Sequence, residues 1–180
     1  MNPLIPIENK PIIITAFLVV ATASYRVLVW RQILPPFLEH TLANTELSVS
    51  VAIALGLASV AAIAAGFAGA IIVFGISADS AIMRSFRAKT EHLLRPNWKS
   101  VIGSAFMSAI LGLFCAYFLA ADWIWLAAPA LALGTLLLLH SIIRMIWLFG
   151  VLLSLVTTQD QKNVRKTRRR STADVFRGAA

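Results

Sequence analysis

The chain alternates between long apolar stretches and short polar segments. The apolar stretches cover residues 11–34, 47–76, 101–120 and 124–157. Each is as long as, or longer than, the roughly 20 residues that an α-helix needs to cross a bilayer. The pattern therefore predicts an all-α, polytopic membrane protein in which residues 1–158 form a bundle of four transmembrane helices.

Small side chains recur at every fourth position in the second and third stretches. In the second stretch they are Ala54, Ala58, Ala62, Gly66 and Ala70, with a second strip at Ala61, Ala65 and Gly69; in the third they are Ser104, Ser108, Gly112, Ala116 and Ala120. In lipid, helices associate largely through close packing of such small residues. We therefore predict that these two helices pack tightly, either within one chain or across a subunit boundary.

The first stretch begins at Pro11 and contains one charged residue, Arg26. We expect an uncleaved span rather than a signal peptide cut after Ala23, because the segment before it is weakly basic and apolar residues continue beyond that position. Two interpretations of Arg26 stay open. The favoured one has the guanidinium reaching the membrane interface and stacking on Trp30; the other has it facing a lumen or an acidic partner such as Glu39 or Glu46.

The fourth stretch is too long for one perpendicular span and contains two ionisable residues, His140 and Arg144. A tight turn at Asp122 and Trp123 would start the span there and bring Arg144 to the opposite surface, which is the placement we prefer. A start after Pro129 would leave both residues near mid-bilayer on one helix face, as a proton or anion site. With Arg26, they are the candidate intramembrane polar residues.

Basic residues concentrate in two segments. In the connection 77–100, Arg84 and Arg87 share a helical face with Arg95, which predicts a basic amphipathic helix along the membrane surface that ends at Pro96. The segment 159–180 is a polybasic tail. Its clustered cations are Lys162, Arg165, Lys166, Arg168, Arg169 and Arg170.

These cations also predict the topology. The connections 35–46 and 121–123 have no Lys or Arg, so the positive-inside rule places residues 77–100, the tail and both termini in the cytoplasm. The basic face could attract anionic lipid or a soluble cytoplasmic partner, or serve only to set the topology. Nucleic acid is the least favoured partner, because no aromatic residues interleave with the cations.

Composition supports the membrane class and limits the chemistry. Hydrophobic residues make up 59% of the chain, charged residues 13%, and the formal net charge is +8. A lone cysteine, Cys115, excludes an intramolecular disulfide and a cysteine-based metal site. The three histidines fall in different layers and no carboxylates are paired, so we expect neither an enzyme nor a bound cofactor or metal.

Residues 71–78, the basic segment after them and residues 98–105 resemble a pattern in small four-span bacterial membrane proteins of unassigned role. Some of these resemble the transmembrane effectors encoded beside phage-defence modules such as retrons and CRISPR loci. The resemblance implies a homo-oligomeric inner-membrane protein that forms a pore or otherwise makes the membrane leaky. The alternatives are a non-conducting scaffold that recruits a partner through its basic face, and a small transporter that uses His140 and Arg144.

Overall fold

The computed structural model describes residues 11–77 and 81–177, which form five helices and no strand. They are α1 (Pro11–Trp30), α2 (Phe37–Asn44), α3 (Leu47–Ser77), α4 (Ala81–Ala120) and α5 (Ile124–Arg177). The side chains of residues 74–77, 81–95 and 162–177, and of several single positions, lie outside the description. All the helices except α2 contain a stretch long and apolar enough to cross a membrane. The prediction of an all-α chain with four such helices is confirmed.

The first span is shorter than predicted. Helix α1 stops at Trp30, because Gln32 adopts a left-handed backbone conformation with φ 58°. The amides of Gln32 and Ile33 then donate back to the carbonyls of Val29 and Leu28, at 3.0 Å each. This is the hydrogen-bond pattern of a Schellman motif, which satisfies the last carbonyls of a helix. Residues 31–34 therefore form a turn.

The connection 35–46 contains a short helix that the sequence analysis did not predict. Helix α2 follows the Pro35 and Pro36 pair, and Glu39 lies in its first turn, where a carboxylate interacts favourably with the helix dipole. Leu42 is buried against the core of the bundle. The connection is thus a packed element beside α5.

Helices α4 and α5 are joined by a tight turn at Ala121–Trp123, where we predicted one. Asp122 has φ 59°, and the amides of Asp122 and Trp123 donate to the carbonyls of Leu119 and Phe118 at 3.1 and 2.7 Å. This is a second Schellman motif, and stacking of the Phe118 and Trp123 rings, with centroids 6.1 Å apart, supplies its hydrophobic contact. We call this end of the bundle, which also carries α2, the turn end.

At the opposite end, which we call the basic end, the helices continue past the apolar stretches. The prediction that Pro96 ends a separate helix is wrong, because α4 runs from Ala81 through Pro96. Asn97, the residue after the proline, is buried, and its Oδ1 accepts a hydrogen bond from Arg144 of α5. Helix α5 likewise continues to Arg177, through most of the predicted tail.

Helices α3 and α4 pack closely along small residues, but only part of the predicted α3 face is used. Ala54 and Ala58 are buried, whereas Ala62, Gly66 and Ala70 are exposed. A step of four residues rotates about 40° around a helix, so a four-residue repeat drifts out of a straight interface. The contact therefore passes to Ala61, Ala64, Ala65 and Ala68, which are buried.

On α4 the predicted face stays in contact for most of its length. Ser104, Ser108, Gly112 and Ala116 are buried, and Ala120 is exposed. A Cβ atom at Gly112 would lie 2.9 Å from the carbonyl oxygen of Ala54 and 2.9 Å from the amide nitrogen of Ala58. Gly112 is thus a point where the two backbones meet with no room for a side chain.

The hairpin of α4 and α5 is held by hydrogen bonds at seven-residue intervals. The Cys115 thiol donates to the Ala127 carbonyl at 3.4 Å, the Ser108 hydroxyl to Gly134 at 2.7 Å, and the Ser141 hydroxyl to Val101 at 2.8 Å. A seven-residue repeat keeps the same faces of two supercoiled helices in register. These bonds satisfy side chains that would otherwise be unpaired in the apolar interior, and they fix the pairing of the two helices.

Candidate intramembrane polar sites

Two polar clusters lie at opposite ends of the bundle. At the turn end, Arg26 of α1 donates from Nη1 to Oε1 of Glu39 in α2 at 2.6 Å, and its guanidinium lies 5.9 Å from the ring centroid of Trp125 in α5. The structure therefore supports the second interpretation of Arg26, in which the guanidinium pairs with an acidic residue, and it identifies that residue as Glu39. Trp30 instead has Arg31 over its ring, at 5.9 Å.

This cluster ties the least buried span to the others. In the apolar span of α1, 11% of the residues are buried, whereas 28–39% are buried in the spans of α3, α4 and α5. The Arg26 and Glu39 side chains are 30% and 14% exposed, so the pair is partly shielded from water and screened less than a surface pair. Through Arg26, α1 is connected to α2 by an ion pair and to α5 by a cation–π contact.

We expect Arg26→Gln to destabilise the protein more than Glu39→Gln. Removing the guanidinium leaves the less exposed partner, Glu39, without its counter-charge, whereas Arg26 keeps Trp125 when Glu39 is neutralised. The expected loss for Arg26→Gln is about 1–2 kcal/mol of unfolding free energy. Detergent-induced unfolding of the two single variants and the double variant measures it. If the double variant loses as much unfolding free energy as the two single variants together, a direct interaction between Arg26 and Glu39 is contradicted.

At the basic end, Arg144 of α5 donates from Nη1 to Oδ1 of Asn97 in α4. Asn97 is 3% exposed and Arg144 is half-buried. Twenty residues separate Ile124 from Arg144, or about 30 Å along a helix, so a span that starts at the turn reaches its far boundary here. The arrangement favours the placement with Arg144 near the membrane boundary.

His140 lies one helical turn closer to the turn end of α5 than Arg144. It is 9% exposed, and its Nε2 atom is enclosed without a hydrogen-bond partner. Buried polar atoms usually have a partner, so this imidazole is a candidate binding group. The hydroxyl of Ser100 on α4 is also enclosed and unpartnered.

The remaining predicted residues fall into two groups. Ala58, Ser104, Ser108, Gly112 and Ala116 are in the protomer core, and Ala62, Gly66 and Ala70 face outward on α3. The predicted basic surface lies outside the described side chains; it comprises Arg84, Arg87, Lys162, Arg165, Lys166, Arg168, Arg169 and Arg170. Sequence reasoning missed Asn97 and Trp125 as partners of the arginines, since neither lies near its partner in the chain.

In the described part of the chain, no three His, Cys, Asp or Glu side chains come together as a metal site. No family model, curated protein or solved structure matches the chain. The class that the fold defines is a polytopic α-helical membrane protein.

Proposed function

We propose that the protein self-associates in a bacterial inner membrane, with both termini cytoplasmic, and acts there as a pore or membrane-perturbing effector. The observation that carries the proposal is the outward face of α3 at Ala62, Gly66 and Ala70, which we call the outer small-residue strip. These residues are exposed, and a Cβ atom added at Gly66 would have nothing within 4 Å.

The strip supports self-association because small residues on a lipid-facing helix let a second helix approach closely. The protomer has already formed its own contact between α3 and α4 on the other side of α3. The strip is therefore available to a second copy of the chain. The resemblance to effectors of phage-defence modules supplies the biological setting, in which leakage would arrest an infected cell.

An assembled ring could also place polar groups along a path across the bilayer. The spans contain no carboxylate, and their charged side chains lie toward the two ends, at Arg26, Lys99 and Arg144. A pore built from such protomers would have a cationic mouth at the basic end, near Lys99 and Arg144, and an apolar middle, while Arg26 at the turn end is paired with Glu39.

Membrane potential measured by dye fluorescence during induced expression tests the proposal. We expect depolarisation with the wild-type chain, and none with Gly66→Leu at a matched membrane level. Gly56→Leu is the control, because Gly56 is exposed on the same helix, also has nothing within 4 Å, and lies off the strip. An unchanged potential with verified wild-type protein in the membrane would contradict a pore that opens on expression alone.

A further inference from the structure

Four large apolar side chains are exposed in and beside the turn that follows α1. Trp30, Ile33, Leu34 and Phe37 are 76%, 67%, 40% and 75% exposed. They fall within eight consecutive residues, and we call them the turn-end patch. Exposed apolar groups that lie this close together mark a surface that contacts a membrane or another protein.

The backbone of this turn is fixed by hydrogen bonds, so the patch has a defined shape. Besides the two bonds of the Schellman motif, the amide of Leu34 donates to the carbonyl of Leu28 at 3.3 Å, and the amide of Phe37 donates to the carbonyl of Pro35 at 2.8 Å. Leu42 lies on the opposite side of α2 from Phe37 and is buried in the bundle. Phe37 therefore faces away from the bundle.

The patch continues the exposed apolar surface of α1. Val27 and Leu28, in the last turn of the span, are exposed, and the span ends at Trp30, where the patch begins. Trp123 and Trp125 lie at the same end of the bundle and are also exposed. Tryptophan is enriched where a membrane meets water. The patch is therefore at the level of the lipid headgroups and the upper parts of the acyl chains.

Arg31 limits how far the patch can enter a bilayer. It is exposed, and its guanidinium lies 5.9 Å from the ring centroid of Trp30, so the charge is held beside the patch. A guanidinium is costly in the hydrocarbon region but binds phosphate oxygens well, and both requirements are met at the level of the headgroups. A second copy of the chain is a poorer partner, because a symmetric contact through the patch would bring two Arg31 side chains together.

We propose that the turn-end patch inserts into the leaflet at the turn end of the bundle, with its apolar side chains among the upper acyl chains and the Arg31 guanidinium at the lipid phosphates. The partner is the phospholipid surface. The insertion attaches α1, the least buried span, at the same end as the ion pair of Arg26 and Glu39. This inference does not rest on the proposed pore, because insertion requires neither assembly nor conduction.

Fluorescence quenching of the full chain in phospholipid vesicles tests the proposal. Ile33→Cys in a Cys115→Ala background is labelled with the environment-sensitive fluorophore NBD. The quenchers are aqueous iodide and phospholipids brominated either near the headgroup or near the ends of the acyl chains. We expect the label to be quenched most by the bromines near the headgroup and little by iodide. Asn44→Cys is the control, because Asn44 is exposed, bonds to His40 of its own helix at 2.7 Å and lies beyond the patch, so iodide should quench its label.

Arg31→Leu tests what sets the depth of the patch. We expect this change to shift quenching of the Ile33→Cys label toward the deeper bromines, and Arg31→Lys to keep the wild-type ratio, since lysine also keeps a cation at the headgroups. An unchanged ratio in Arg31→Leu would overturn the role of Arg31.

Two further outcomes would overturn the insertion. Equal iodide quenching at Ile33→Cys and Asn44→Cys would place the patch in water. Protection of the Ile33→Cys label from both kinds of quencher would mean that protein, and not lipid, covers the patch. Thermal unfolding of each labelled variant checks that the protomer is folded. None of these outcomes bears on depolarisation, so the two proposals fail separately.

Discussion

Gly112→Leu is expected to prevent the folded protein from accumulating in the membrane. Even a Cβ atom at this position would lie 2.9 Å from two backbone atoms of α3, the Ala54 oxygen and the Ala58 nitrogen, and 3.0 Å from the Ala58 Cβ. A backbone cannot rotate away as a flexible side chain can, so α3 and α4 would have to separate. Overpacking a well-packed core by methylene groups costs about 1–3 kcal/mol, and the leucine side chain would add more than one.

The matched control is Gly103→Leu on the same helix, where an added Cβ atom would have nothing within 4 Å. Extraction in mild detergent, size-exclusion chromatography and thermal unfolding compare the two variants. We expect Gly103→Leu to elute as the wild-type protein does and Gly112→Leu to aggregate or be degraded. Equal yields and equal unfolding temperatures would show that α3 and α4 are not packed through Gly112.

The second large effect is expected for Gly66→Leu, which should leave the protomer folded and remove its self-association. Gly66 is exposed and an added Cβ atom would have no neighbour within 4 Å, so we expect leucine to leave the fold of the protomer intact. Between two copies, it would force apart helices that approach through small residues. Counting photobleaching steps of labelled protein in vesicles gives the number of chains in each complex.

We expect single-step bleaching for Gly66→Leu and multiple steps for both the wild-type protein and Gly56→Leu. Multiple steps for Gly66→Leu as well would mean that another surface holds the copies together. Single steps for the wild-type protein would contradict self-association at the densities tested. Because thermal unfolding of Gly66→Leu checks the protomer separately, a folding defect cannot be mistaken for a loss of association.

Gly112 and Gly66 show which part of the helix packing could not be predicted from the sequence. Both lie in four-residue repeats of small side chains, and the repeat alone predicted packing for both. On α3 the contact with α4 rotates around the helix between Ala54 and Ala68, and this rotation leaves Gly66 outside the interface. On α4 the predicted face stays in contact, and Gly112 is buried. That rotation depends on how the helices cross, which is a property of the pair and not of either sequence segment.

The spans were predictable because a bilayer imposes a minimum apolar length, and the turn at Asp122 was predictable from a polar residue between two apolar stretches. The continuation of α4 through Pro96 was not, since a proline inside a helical pattern usually ends or kinks the helix. The contact of the next residue, Asn97, with Arg144 was not predictable either, because 47 residues separate the two in the chain. For Arg26, the sequence analysis favoured the membrane interface with stacking on Trp30, and it named Glu39 and Glu46 as acidic partners only in the alternative that the structure shows. The helix α2, which positions Glu39 beside α1, decides between them.

In the proposed assembly, copies of this chain meet through the outer small-residue strip. Single-cysteine crosslinking in native membranes tests this contact, and the buried Cys115 can be replaced by alanine to give a cysteine-free background. In that background, we predict that Gly66→Cys gives a disulfide-linked dimer on oxidation and that Gly56→Cys stays monomeric. Equal crosslinking at the two positions, or none at Gly66→Cys with the protein verified as folded, would contradict the claim.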